Sequence, residues 1–243
     1  VMGFNNIELI SDRPLEINLK EIAECIKLFP DRAMIVSLMA DNDKNSWHEL
    51  IKKCEDTGAH GFELNFGCPH GMCERGMGSA VGQEPKVLQM IVEWVKEVAK
   101  IPVITKLTPN ISDITRPARA AKAGGSDAIS LINTIQSVIG VDLDTFVPFP
   151  NVDGKSTNGG YCGPAVKPIA SSAMPCLGTS VFSIPVSVPS HVTFQPRPRS
   201  SFATASPGMM WPPVPAAMTI SVRLIRRTPA AAACSGSGRR CAP

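Results

Sequence analysis

The chain has 243 residues, 44% hydrophobic and 19% charged, with a formal net charge of +3. That is the composition of a globular protein with enough apolar material for a core, and so small a charge implies no special partner by itself. No uninterrupted apolar run approaches the roughly 20 residues of a membrane helix, and the opening VMGFNNIELISDRP is neither a signal peptide nor a transit sequence but resembles the interior of a longer protein.

In chain order, Asn18 and Glu21 make a capping-box pattern ahead of Ile22, Ile26 and Phe29 at helical spacing, and Pro30 stops that helix. AMIVSLMA (33–40) is an apolar run suited to a buried strand. Ser46 and Glu49 repeat the capping pattern, and the helix from Trp47 ends at Gly58, a natural C′ residue. GFELNF (61–66) is again strand. Pro85 opens a helix whose Val87, Met90, Ile91, Trp94 and Val98 predict one apolar face. PVITKL (102–107) is strand, 112–123 is helix ended by Gly124-Gly125, and AISLIN (128–133) is strand.

Strands thus alternate with helices, with starts about 25 to 40 residues apart, which implies a parallel sheet with helical crossovers. No GxGxxG follows the first strand. Instead, polar residues stand at the C-terminal ends of successive strands: Asn65 and Cys68, Lys106 and Thr108, Asn133 and Thr134. In a barrel those ends ring a single site. The expected fold is therefore α/β, a partial (β/α)8 TIM barrel over residues 1–170 rather than an open doubly wound sheet.

Composition breaks sharply near residue 170. All 21 Asp and Glu precede it, while 171–243 contain no Asp, Glu, Lys or Asn but seven Arg and 11 of the 22 Pro. The first part carries −4 and the tail +7. Three readings of the tail compete: a basic arm for nucleic acid or membrane surfaces, a linker, or out-of-frame translation of a GC-rich gene, which loses Lys, Asp and Glu together. The third is favoured, with an irregular or disordered tail and no nucleic-acid or membrane partner expected.

The eight cysteines, at 25, 54, 68, 73, 162, 176, 234 and 241, lack a paired framework spacing, which favours reduced thiols in a cytoplasmic protein. Three of the ligand-type side chains, Cys68, His70 and Cys73, crowd into NFGCPHGMCERGMG (65–78). A zinc knuckle could add Cys162 as fourth ligand, but the one-residue spacing and Pro69 oppose it. A phosphate cradle could use the glycine amides and Arg75, but no Gly-Lys-Ser/Thr follows. A catalytic thiol would be Cys68, two residues past the strand, with Gly67 and Gly71 allowing the loop to move. The plainer alternative is that Cys68 is a small buried filler.

NFGCPHGMCERGMG, followed by KLTPN (106–110), INT (132–134) and GGYCGPAVKPIA (159–170), resembles the FMN-binding barrel of the dihydropyrimidine dehydrogenases. The bacterial catalytic subunit is the nearer likeness, and the dihydroorotate dehydrogenases are similar more loosely. The resemblance covers residues 1–170 almost continuously. It implies an oxidoreductase that reduces the 5,6 double bond of uracil or thymine, with FMN carrying hydride to C6 and Cys68 protonating C5. A thiol suits this because its pKa lies near neutrality. It implies substrate contacts from Asn6, Asn65, Phe66, Gly67, Asn133 and Thr134, the amides matching the alternating C=O and N–H edge of a pyrimidine. It places Lys106 and Gly163 against FMN, the lysine beside the N1–C2 carbonyl edge. His70 and Arg75 are loop-anchoring candidates. No structural metal is implied.

By the same resemblance an electron-transfer subunit carrying FAD and NAD(P)H would be the partner. The family barrel starts before Val1, and its iron–sulfur region follows the barrel and has no counterpart here, since no C-x-x-C-x-x-C appears. The chain is accordingly expected to hold at most the pyrimidine end of the electron path and not to retain FMN. A family Gly-Ile-Gly-Thr-Ile phosphate turn, encoded GGT ATC GGT ACC ATC and read one base late, gives Val-Ser-Val-Pro-Ser, the text at 186–190.

Overall fold

A computed structural model describes residues 3–6, 14–69, 76–149, 151–152, 155–156, 158–173 and 219–226. His70, Gly71, Cys73, Arg75 and the 186–190 text lie outside them.

The elements in order are β1 (Phe4–Asn6), α1 (Leu15–Leu28), β2 (Arg32–Met39), α2 (Lys44–Glu55), β3 (Gly61–Phe66), α3 (Ser79–Gln83), α4 (Pro85–Val98), β4 (Val103–Leu107), α5 (Thr115–Ala123) and β5 (Ala128–Ser130). Six short strands follow, β6 (Ile135–Ser137), β7 (Gly140–Val141), β8 (Pro148–Phe149), β9 (Asn151–Val152), β10 (Lys155–Ser156) and β11 (Gly159–Cys162), then α6 (Lys167–Ala173) and β12 (Thr219–Arg226).

The strands β2, β3, β4 and β5 lie side by side in sequence order and pair in parallel. α2, α4 and α5 carry the chain between them, which is the α/β alternation expected. The sheet of the described residues is open. Its β2 edge is covered by β12, antiparallel, from Thr219 opposite Met39 to Arg226 opposite Arg32. A (β/α)8 barrel strand would run parallel there. The tail, expected to be irregular throughout, thus supplies one strand, and it masks an edge that would otherwise present unpaired backbone.

Two helix starts differ from the capping patterns. α1 begins at Leu15 after Pro14, whose carbonyl accepts from the Ile17 and Asn18 amides, so Asn18 is inside the helix and buried. A proline already fixed at φ −54° launches the helix without a side-chain cap. α2 begins at Lys44, and the Asp43 carboxylate, not Ser46, caps it by accepting the Ser46 amide at 2.8 Å. α5 starts at Thr115, three residues later than expected at 112, and β5 stops at Ser130 rather than 133.

Period 2 sorts the sheet residues into two faces. Met34, Val36 and Leu38 of β2, Phe62, Leu64 and Phe66 of β3, and Val103 and Leu107 of β4 pack with the helices in one buried cluster. On α4 the fully buried stripe is Leu88, Ile91, Val92 and Val95, turned from the face predicted around Val87, Met90 and Trp94. Each of these side chains contributes about 1.5–3 kcal/mol by leaving water. The opposite face carries Ser37, Glu63, Asn65, Lys106 and Ser130, and there the candidate site lies.

Candidate functional site

Two layers of side chains stack on that opposite face. Asn65, Lys106 and Ser130 are register partners across β3, β4 and β5. One layer toward the strand N-termini, Ser37, Glu63, Ile104 and Ala128 are partners in the same way. Glu63 is 2% exposed, and its carboxylate meets the Lys106 ammonium at 3.2 Å. Glu63 was missed by reading GFELNF as an apolar strand. The signal was there: Phe62, Leu64 and Phe66 alternate with Glu63 and Asn65, so the two polar residues share one face.

Beyond the strand ends the amides converge. Asn133 Nδ2 donates to Asn65 Oδ1 at 2.7 Å, and Asn65 Oδ1 also accepts the Gly67 amide at 3.3 Å. The Asn133 backbone N–H donates to the Leu107 carbonyl, and its Oδ1 accepts from Thr134 N at 2.8 Å. Asn110, within KLTPN, ties the next residues down and is a site-shaping residue that the sequence reading missed. Its Nδ2 donates to the Thr134 carbonyl at 3.1 Å and its Oδ1 accepts from Gln136 N at 2.9 Å. Thr134 Oγ1 is shut from solvent with no hydrogen-bond partner among the described residues.

A three-stranded antiparallel sheet, ordered β1-β11-β6, stands beside this cluster. Asn6 lies opposite Gly160, and a side chain on Gly160 would strike Thr134, so Asn6 and Thr134 are brought to one neighbourhood. Gly163, one residue past β11, has φ +95°, a conformation closed to most side chains.

Phe66 stands apart from its neighbours. Its ring is 1% exposed and meets Trp47 edge-on, 6.0 Å between centroids, on the helix face of the sheet. Only its backbone faces the Asn65 side. At Gly67 a Cβ would strike Asn133, so the residue must be small where two strand ends meet. Cys68 is buried with Met39 and Met77, and its carbonyl accepts the Ser79 amide at the start of α3, at 3.0 Å. Cys162, considered as a zinc ligand, donates its thiol to the Phe4 carbonyl at 3.4 Å, and burial raises its pKa. Among the described residues no helix is long and apolar enough to cross a membrane.

The family model for dihydroorotate dehydrogenase matches residues 2–186. The chain belongs to the dihydroorotate dehydrogenase family. For this family member the match runs past the boundary at 170 read from composition. Among curated relatives it is 52% identical over 170 residues to the chloroplastic dihydropyrimidine dehydrogenase (NADP(+)) of Arabidopsis thaliana, covering 70% of this chain and 40% of that protein. It is 42% identical over 169 residues to the NAD-dependent dihydropyrimidine dehydrogenase subunit PreA of Escherichia coli K12, covering 70% and 41%. It is 44% identical over 137 residues to the catalytic subunit of dihydroorotate dehydrogenase B (NAD(+)) of Pyrococcus horikoshii, covering 56% and 42%. The bacterial subunit was expected to be the nearer likeness, yet the plant enzyme shares more identity. The chain spans about 40% of the length of these dehydrogenases.

Proposed function

We propose that residues 1–170 of this family member are a sector of an FMN-binding TIM barrel that handles the pyrimidine end of a dihydropyrimidine dehydrogenase reaction. Strand order supports the barrel reading, since β2 to β5 run consecutively and in parallel whereas an open doubly wound sheet reverses its order part-way. Names support the substrate class: the two dihydropyrimidine dehydrogenases match over 70% of this chain and the dihydroorotate dehydrogenase over 56%.

The observation that carries the reading is the joined pair Asn65–Asn133, with the orphaned Thr134 hydroxyl beside it. Amides and a hydroxyl with spare donors and acceptors fit a flat ring whose edge alternates C=O and N–H. The donor set also fits a flavin edge: the Lys106 ammonium lies on the same face, 16% exposed, in register with Asn65. Lys106 and Gly163 would hold FMN, which when bound supplies the hydride. Cys68 then gives its thiol proton to the pyrimidine C5 and is recharged from solvent. Burial beside Met39 and Met77 keeps competing water from that proton while the pyrimidine is bound, and the recharge from solvent follows product release. Asn6, Asn65, Asn133 and Thr134 orient the ring, with the backbone of Phe66 and Gly67 along its flank. Electrons would come from an FAD- and NAD(P)H-dependent partner subunit.

The test is anaerobic. Because the chain is not expected to retain FMN through purification, purified chain is titrated with excess FMN, reduced with dithionite and mixed with uracil, and the return of flavin absorbance is followed. Cys68→Ser is expected to slow that return by about 10²–10⁴-fold, the usual worth of a positioned acid, while Asn65→Ala and Asn133→Ala weaken uracil binding. A Cys68→Ser protein that reoxidises at the wild-type rate would sink the assignment.

A further inference from the structure

We propose that Glu63 is a positioning residue for this reaction: it holds the Lys106 ammonium beneath the strand ends and offsets part of its charge toward whatever rests there. The inference depends on the flavin reading of the same site. A carboxylate 2% exposed on a strand is costly unless it is paired, and the Lys106 ammonium at 3.2 Å is a charged partner for it. The geometry gives the pair a direction. Lys106 is level with Asn65, while Glu63 is level with Ile104, two residues and about 6.6 Å deeper along the strand. The contact therefore runs diagonally between layers, drawing the ammonium down from the plane of the Asn65 amide. A ligand on the strand ends faces the positive end of a neutral pair rather than a bare cation.

The consequence concerns charge, not shape. Glu63→Gln keeps an oxygen for Lys106 but deletes the negative charge, so a bound flavin meets the full cation. Reduced, anionic FMN should then gain affinity over oxidised FMN. The expected change is about tenfold in the ratio of the two dissociation constants, which is about 30 mV for a two-electron couple. Glu63→Asp should return the ratio toward wild type. The double variant Glu63→Gln with Lys106→Gln, a neutral pair of similar size, should lower it below wild type. A packing role for Glu63 would change both affinities together and leave the ratio alone.

The experiment measures binding of oxidised and dithionite-reduced FMN to wild type and the three variants. Alongside, trace acetylation of the flavin-free proteins compares Lys106 with Lys20, whose side chain is 77% exposed. Loss of its carboxylate leaves the protonated Lys106 amine less stabilised, so Glu63→Gln should raise its relative acetylation severalfold. A shifted affinity ratio with the expected sign supports the proposal, and an unchanged ratio overturns it. If no form takes up FMN, the flavin reading fails, and acetylation alone decides whether Glu63 holds Lys106: a rise supports the positioning, an unchanged rate overturns it.

Discussion

The hydrogen bond between Asn133 Nδ2 and Asn65 Oδ1, 2.7 Å long, should behave as one energetic unit, and a double-mutant cycle measures it. Asn133→Ala leaves Asn65 Oδ1 with only the long 3.3 Å contact to Gly67 N and takes the acceptor from Thr134 N. Asn65→Ala takes the acceptor from Asn133 Nδ2 and from Gly67 N. A buried polar group left without its partner costs about 1–3 kcal/mol, and both residues are only half-buried. Each single variant is therefore expected to lose about 1.5 kcal/mol. The double variant has neither half of the shared bond, so its loss should fall short of the sum by about 1 kcal/mol. Urea unfolding, followed by Trp fluorescence at fixed m-value, gives the four free energies. Strict additivity, within the roughly 0.3–0.5 kcal/mol seen for independent sites, would falsify the claim that these amides form a coupled pair.

Phe66→Ala should cost about 3–5 kcal/mol, because the ring is 1% exposed against Trp47, and the Trp47 emission should shift with it. Gly67→Ala should abolish the coupling measured above, since the new methyl occupies the place of Asn133, whereas Gly76→Ala, whose Cβ meets no described atom within 4 Å, should cost stability through its φ of +71° yet leave the coupling intact. Burial raises the Asp127 pKa, but the Lys96 ammonium and the Val103 amide, each at 2.8 Å, more than offset it and hold the carboxyl below its usual range. A lowered folded pKa adds stability that is present above the unfolded value, about 3.9, and is lost as pH falls through the folded value. Asp127→Asn should therefore be less stable than wild type at pH 7, and the two should converge on acidification. Burial pushes the Cys54 thiol up to about 12, so iodoacetamide at pH 8 should leave it unmodified in native protein. Labelling of native Cys54 as fast as in urea would contradict that packing.

Much of the sheet was legible because its residues repeat at a short period. GFELNF and VITKL give strands at their expected places, and Pro85 opens α4. The strand ends carrying Asn65, Lys106 and Asn133 could be aligned without coordinates, since parallel strands joined by helices place their C-terminal ends on one side. What stayed hidden depends on pairings far apart in sequence. Nothing local says that Phe4–Asn6 pairs with Gly160–Cys162, so the sheet that brings Asn6 toward Thr134 could not be read. The same holds for β12. TISVRLIR alternates polar and apolar from Thr219 to Leu224, but a short alternation inside Pro- and Arg-rich text carries little weight without the bare edge of β2 to receive it. The two capping patterns failed for another reason: a Ser or Asn three residues before a Glu also occurs inside helices, and Pro14 and Asp43 lay just upstream as better starts.

The glycines around Cys68 change the account of how a thiol would be presented. Gly67, a residue whose glycine also suits loop motion, accommodates Asn133 as its neighbour. On the other side, Gly78 has φ +59°, and a Cβ there would stand 2.8 Å from the Cys68 carbonyl and 3.2 Å from its Cβ. The Ser79 amide holds the same carbonyl at 3.0 Å. The chain is thus held on both sides of the Cys68 thiol: Gly67 lies against Asn133, and the Cys68 carbonyl is tied to the start of α3. If Cys68 is the proton donor proposed above, a thiol held this way is positioned before a substrate arrives, and the entropy of ordering it is met on folding rather than during the reaction. That makes Asn65, Asn133 and Gly67 a single device. The amide pair also sets where the strand leaves for Cys68, so under the proposed function loosening the pair should blur substrate orientation and proton delivery together.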